Sequence, residues 1–194
     1  MLFGILGFFS YIAVESLTSA WFTSMMVFDY GVANDIATRW ASYFFLGIMV
    51  GRFISGFISL KISDKNMIRF GEVILLCGII LLSFKFSISI MPFAVTIIGL
   101  GCAPIYPAVI HSTPDKFTKE LSPSVMSIQV GCAYIATFAI NPLFGIIGKN
   151  ISWYILPFTL IFFFIIMAIS NEIVLLKTKD KNNLLNNSLK AKLK

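Results

Sequence analysis

Apolar residues run in six long blocks along this chain, and polar residues gather mainly in the gaps between them. The blocks are Leu2–Phe28, Trp40–Leu60, Ile68–Phe84, Met91–His111, Ser122–Ile147 and Trp153–Leu176. A bilayer-spanning helix needs about 20 predominantly apolar residues. The pattern therefore predicts an all-α membrane protein of six transmembrane helices. The gaps are too short to hold a soluble domain. Two regions follow: a six-helix transmembrane bundle over residues 1–176, and a polar cytoplasmic tail over 177–194, rich in Lys, Asn and Leu.

Composition sharpens this picture. Hydrophobic residues make up 58% of the 194 positions, and no soluble fold of that size hides so much apolar surface without large exposed patches. The first block is not a cleaved leader by pattern: no Lys or Arg precedes it, it is too long, and Glu15 interrupts it.

Charge then orients the bundle. With six spans both termini share a side. If the N-terminus is cytoplasmic, the inner segments carry Lys61, Lys65, Arg69, Lys116, Lys119 and six tail lysines, eleven basic residues in all. The outer loops carry only Arg39, Lys85 and Lys149. That bias predicts an N-in/C-in topology and a multi-pass protein of a bacterial inner or plasma membrane. The net charge of +6 sits in loops and tail rather than in a basic stripe interleaved with aromatics, so nucleic acid is not an expected partner. The lipid bilayer is, and the tail could lie on its anionic headgroups.

Candidate chemistry is sparse. Cys77, Cys102 and Cys132 all fall inside spans, where free Cys packs as a small hydrophobe. No spacing of Cys or His suggests a metal site, and no cofactor is implied. The GxSxG, HExxH and paired-aspartate patterns of enzymes are absent, so the protein reads as a non-enzyme. His111, the single His, lies at the edge of the fourth span.

Polar groups within the spans carry more information. Glu15 lies near the middle of the first, where a carboxylate is too costly to face lipid. Its helical face includes Phe8, Tyr11, Ser19 and Phe22, an aromatic and hydroxyl surface suited to a polyhydroxyl ligand or to a proton-carrying acid. Gln129, with Ala133, Ala136 and Thr137, forms an open polar stripe on the fifth span, and Asn141 lies further along it. Each has a plainer reading as an interhelical hydrogen bond. Arg52 lies about 12 Å in from the end of the second span, and Glu72, one turn into the third, is its expected ion-pair partner. The fourth span reads Gly99-Leu-Gly101-Cys-Ala-Pro104-Ile-Tyr106-Pro107. Two Gly and two Pro so close together predict a broken or kinked helix, with Tyr106 turned to a cavity. Asn141-Pro142 predicts a second break. Gly47-x-x-x-Gly51 suggests close helix packing.

These segments carry a resemblance. The stretch Gly51-Arg-Phe-Ile-Ser-Gly56 through the basic Lys61–Arg69 turn resembles the eighth and ninth helices of major facilitator superfamily transporters. The fourth span resembles the tenth helix of their fucose-permease-like branch, and Val14-Glu-Ser-Leu-Thr-Ser-Ala-Trp21 resembles its seventh. Leu60 stands where the superfamily's loop motif has its Asp. The resemblance implies the C-terminal six-helix half of a major facilitator fold. It also implies a substrate surface on the first, fourth and fifth spans, with Glu15, Gln129, Tyr11, Tyr106 and Asn141 as substrate-binding candidates. Arg52, Glu72, Gly99, Gly101, Pro104 and Pro107 take gating or structural roles. The implied function is transport of a small polar solute, with a sugar as candidate, by alternating access. That requires an N-terminal six-helix half or a second copy of the chain. The rival readings are a truncated or split frame without transport of its own, and a homodimeric channel or scaffold.

Overall fold

The computed structural model describes residues 2–84, 87–113 and 122–192, with side chains to Leu176. Lys85, Lys116 and Lys119 fall outside the described residues. Among those described are six helices: α1 Leu2–Phe28, α2 Asn34–Ile58, α3 Asp64–Ser83, α4 Met91–His111, α5 Ser122–Asn150 and α6 Leu156–Lys192. All six are long and apolar enough to cross a membrane.

Helix ends follow local chemistry. After α1, Gly31 takes a left-handed conformation at φ 66°, and Val32 N–H reaches back to the Met26 carbonyl at 3.0 Å. This bond closes over a left-handed Gly and ends the helix, and a side chain at Gly31 would be strained there. Short 3₁₀ turns at Ile88–Ile90 and Trp153–Ile155 lead into α4 and α6. Ser87 and Ser152 cap them, each accepting the N–H two residues on. The Ser152 hydroxyl also donates to Asp29 at 3.1 Å, tying the turn before α2 to the turn before α6.

Two helices organise the packing. α4 lies between α2 and α3, while α1 packs on α5 and α6 and crosses α2 and α4. Glycine makes the α4 contacts possible. A Cβ on Gly47 would collide with the Thr96 carbonyl, and one on Gly99 with the Phe44 carbonyl. Gly101 faces the opposite way, against the backbone of Leu75. The Gly-x-Gly of the fourth span is thus a two-sided spacer, one glycine for each neighbour, and this close approach is what small residues give membrane helices.

The expected breaks are not seen. α4 continues from Met91 through Pro104 and Pro107 to His111, and α5 continues through Pro142. Each proline removes one rung of the ladder, and the neighbouring rungs hold the helix together. The Leu100 carbonyl, which Pro104 leaves without its usual donor, faces the α2 crossing at Gly51. A neighbouring helix covers the freed group, as membrane helices require.

The core runs through α1 and α4: Phe8, Tyr11, Leu17, Phe22, Leu75, Ile98 and Cys102 are all buried. At the end of the bundle holding the α1–α2 turn, Trp21, Phe28 and Trp153 stack with centroids 5.0 and 5.8 Å apart. Aromatic clusters of this kind favour the membrane–water boundary. Tyr154 donates to the Ser83 carbonyl at 2.6 Å beside them. Burial, then the adjacent Tyr154 and Asp29, push the Tyr30 phenol above its ordinary value. By contrast, α2 and α5 present long apolar faces outward, with Phe45, Met49, Phe53 and Phe57 exposed on one and Tyr134, Phe138 and Ile146 on the other.

Candidate solute-facing groove

α1 delivers Phe8 and Tyr11 to the centre of the bundle, four residues from Tyr11 to Glu15 and one turn apart. Tyr11 is 1% exposed, and its hydroxyl donates to the Cys102 carbonyl of α4 at 3.1 Å. Tyr106, one turn further along α4, packs against Phe8 with the rings tilted and centroids 5.4 Å apart, and lies 6.4 Å from Tyr11, so three rings from two helices form one wall. The chain therefore brings the candidates Tyr11 and Tyr106 together. Glu15 is half-buried and lies near enough to the Tyr11 hydroxyl and to Cys102 to act on both electrostatically.

α5 supplies the facing wall. A cleft of about 170 Å³ opens between Phe8, Ile12 and Tyr106 on one side and Val130, Ala133, Tyr134 and Thr137 on the other. A second, of about 510 Å³, continues it past Tyr106, Ser127, Gly131 and Tyr134. Tyr106, Val130 and Tyr134 line both, so the two form one groove along the α4–α5 seam. Its lining is aromatic with scattered hydroxyls. Such a surface can stack on an apolar ring face and hydrogen-bond its substituents.

Other expected residues fall elsewhere. Gln129 is buried, and its Oε1 accepts from Thr113 at 3.2 Å. It ties the end of α4 to α5 instead of sharing a cavity with Glu15. The Arg52–Glu72 ion pair does not form. Glu72 faces α6, where the Asn171 side-chain amide donates to Oε1 at 2.8 Å. The cation beside it is Arg69, held by Glu172 through two bonds of 2.6 and 2.7 Å. Arg52 is exposed and lines a separate cavity between the ends of α2, α3 and α4. Arg52 and Glu72 agree in charge and depth, but they occupy helix faces that do not meet. Asn141 is half-buried, with its side-chain oxygen buried and without a partner.

Tyr134 was missed as a candidate, although it lines both parts of the groove. The signal was there in part: Ala133 and Thr137 of the expected Gln129 stripe do line the groove, and Tyr134 lies beside them with Ser127 and Val130 at helical spacing. Ala136 instead packs into the core.

The sequence matches the Major Facilitator Superfamily over residues 3–193. A fold of six membrane-spanning helices with no strands among the described residues agrees with that match. The chain belongs to this superfamily of transporters and is a multi-pass membrane protein. Its structure is similar to that of the major facilitator transporter FucP in its outward conformation, with TM-score 0.71, 13% identity, and coverage of 89% of this chain and 41% of that one. It is also similar to a peptide transporter POT in complex with alafosfalin, at TM-score 0.73 and 14% identity, covering 93% of this chain and 38% of that one. The POT family transporter PepTSo matches at TM-score 0.72 and 16% identity, covering 91% and 36%. The chain thus spans about two-fifths of the length of these structures. No curated protein matches it in sequence.

Proposed function

We propose that this chain forms one six-helix half of a secondary transporter for a small polar solute, with a sugar as candidate, and that a second half completes the path. The observation carrying this reading is the open groove along the α4–α5 seam, whose wall is built from Phe8, Tyr106, Tyr134 and Thr137. A groove open on one side of a half-length bundle is a half-site, and a second bundle closes it. Alternating access then follows from rocking of one bundle against the other about a fixed site. The outward apolar faces of α2 and α5 suit contact with that partner or with lipid. The partner is an N-terminal six-helix half or a second copy. Glu15 supplies a carboxylate one turn beyond the Tyr11–Tyr106 wall, where it can carry a proton or bind a solute hydroxyl.

The test is uptake of labelled monosaccharides into proteoliposomes holding the chain with a six-helix N-terminal partner, and with itself alone. Tyr106→Ala and Tyr134→Ala should each lower uptake about tenfold, the scale of one lost stacking and hydrogen-bonding contact. Normal uptake by both variants places the site elsewhere. Absence of uptake with every partner favours the reading of a membrane protein without transport of its own.

A further inference from the structure

Three charged groups of α3 have close partners. Arg69 is held by Glu172, Glu72 by Asn171, and Asp64 by His111, whose Nδ1 lies 2.7 Å from its Oδ2. The Arg52 guanidinium has no carboxylate partner among the described residues. It sits six residues before the end of α2, about 9 Å along the axis, and beside it Phe53 and Phe57 are 71% and 63% exposed. An unpaired cation at such a depth is costly and calls for a counter-charge.

The space next to it is shaped for one. A cavity of about 480 Å³ lies between the ends of α2, α3 and α4. Arg52, Ser55, Gly56 and Ser59 line it from α2, Asp64 from α3, and His111 from α4. The α2 residues are spaced i, i+3, i+4, i+7, so they share one face of the helix. A Cβ on Gly56 would meet nothing within 4 Å, which leaves the middle of that face open to a ligand. The Ser55 and Ser59 hydroxyls now donate to the Arg52 and Gly56 carbonyls of their own helix, and a bound oxyanion can compete for those protons. The one acid in the lining, Asp64, is bonded to His111, which offsets its repulsion of an anion when the imidazole is protonated.

We infer that this cavity binds an oxyanion, a phosphate group, through the Arg52 guanidinium and the Ser55 and Ser59 hydroxyls. The planar guanidinium fork matches phosphate with paired hydrogen bonds. The group can belong to a free phosphate compound or to the headgroup of an anionic lipid reaching the helix ends. The site is separate from the α4–α5 groove and stands whether or not the chain transports anything.

Two arms separate the sources. The purified full chain in detergent is titrated with inorganic phosphate while its thermal unfolding is followed. In parallel, native mass spectrometry follows phosphatidylglycerol and phosphatidylcholine retained from mixed nanodiscs. Arg52→Gln should weaken binding about tenfold or more, as loss of a charge-assisted pair does. Arg39→Gln, an equal charge change at the opposite end of the bundle, should leave it unchanged. A response in the phosphate arm assigns a free oxyanion, and selective phosphatidylglycerol retention alone assigns a lipid headgroup. If Arg52→Gln does not fold, Ser55→Ala/Ser59→Ala decides, with binding expected to fall several-fold. The site is refuted if neither ligand binds, or if binding is as strong in the Arg52 or the serine variant as in the Arg39 control.

Discussion

At the scale of single residues, contacts decide which polar groups hold the bundle together. Asn171 is pressed against α1, since a Cβ on Gly7 would lie 2.9 Å from its Oδ1, and from there it donates to Glu72. A double-mutant cycle on Glu72→Ala and Asn171→Ala should show a coupling of about 1–2 kcal/mol in thermal or denaturant unfolding. The same cycle on Arg52→Ala and Glu72→Ala should be additive to within about 0.5 kcal/mol, because the two do not meet. Glycines offer a second contrast. Gly99→Ala drives a methyl into the Phe44 carbonyl and should cost about 1–3 kcal/mol through forced separation of α2 and α4. Gly131 has nothing within 4 Å, so Gly131→Ala should be neutral or stabilise by up to about 1 kcal/mol through helix propensity. Equal melting temperatures for the two variants would contradict this packing.

At the scale of elements, the apolar blocks located α1 and α4 to the residue, yet α2 starts at Asn34 instead of Trp40 and α6 runs on to Lys192 instead of stopping at Leu176. The reason is physical. Apolarity marks the slab of membrane, while helix ends are set by backbone hydrogen bonds, and polar turns such as Asn34–Arg39 or Lys177–Lys192 can stay helical in water. The faces were harder to read than the spans. In a soluble helix a polar stripe marks the outside, but in a bilayer the lipid-facing and bundle-facing sides are both apolar. Tyr134 and Ala136 therefore look equally suited to either side, and only packing shows that one lines the groove while the other is buried. The prolines leave their helices unbroken for a related reason, since a missing rung is absorbed where a neighbour covers the carbonyl. The Tyr11 hydroxyl ties α1 to α4 at the Cys102 carbonyl, near Pro104. Tyr11→Phe should lower stability by about 1 kcal/mol while leaving the helix content measured by circular dichroism unchanged.

At the scale of the whole molecule, the six helices require that connections alternate between two ends of the bundle. The turns after α1, α3 and α5 share one end, and the turn after α2 shares the other with both termini. The eleven-to-three excess of basic residues at the second end predicts that it is cytoplasmic. The prediction can be checked on a background lacking Cys77, Cys102 and Cys132. Cys102 is buried beneath Tyr11, so a small replacement such as Ala suits that position. Single cysteines at Asp35 and Lys149 should react with a membrane-impermeant maleimide added to intact cells. A cysteine at Lys65 should react only after the membrane is opened. Labelling of position 65 from outside, with position 35 protected, would reverse the orientation and move the Arg52 cavity to the outer face. There a cytoplasmic phosphate compound could not reach it, and an outer-leaflet headgroup would be the remaining source of its oxyanion.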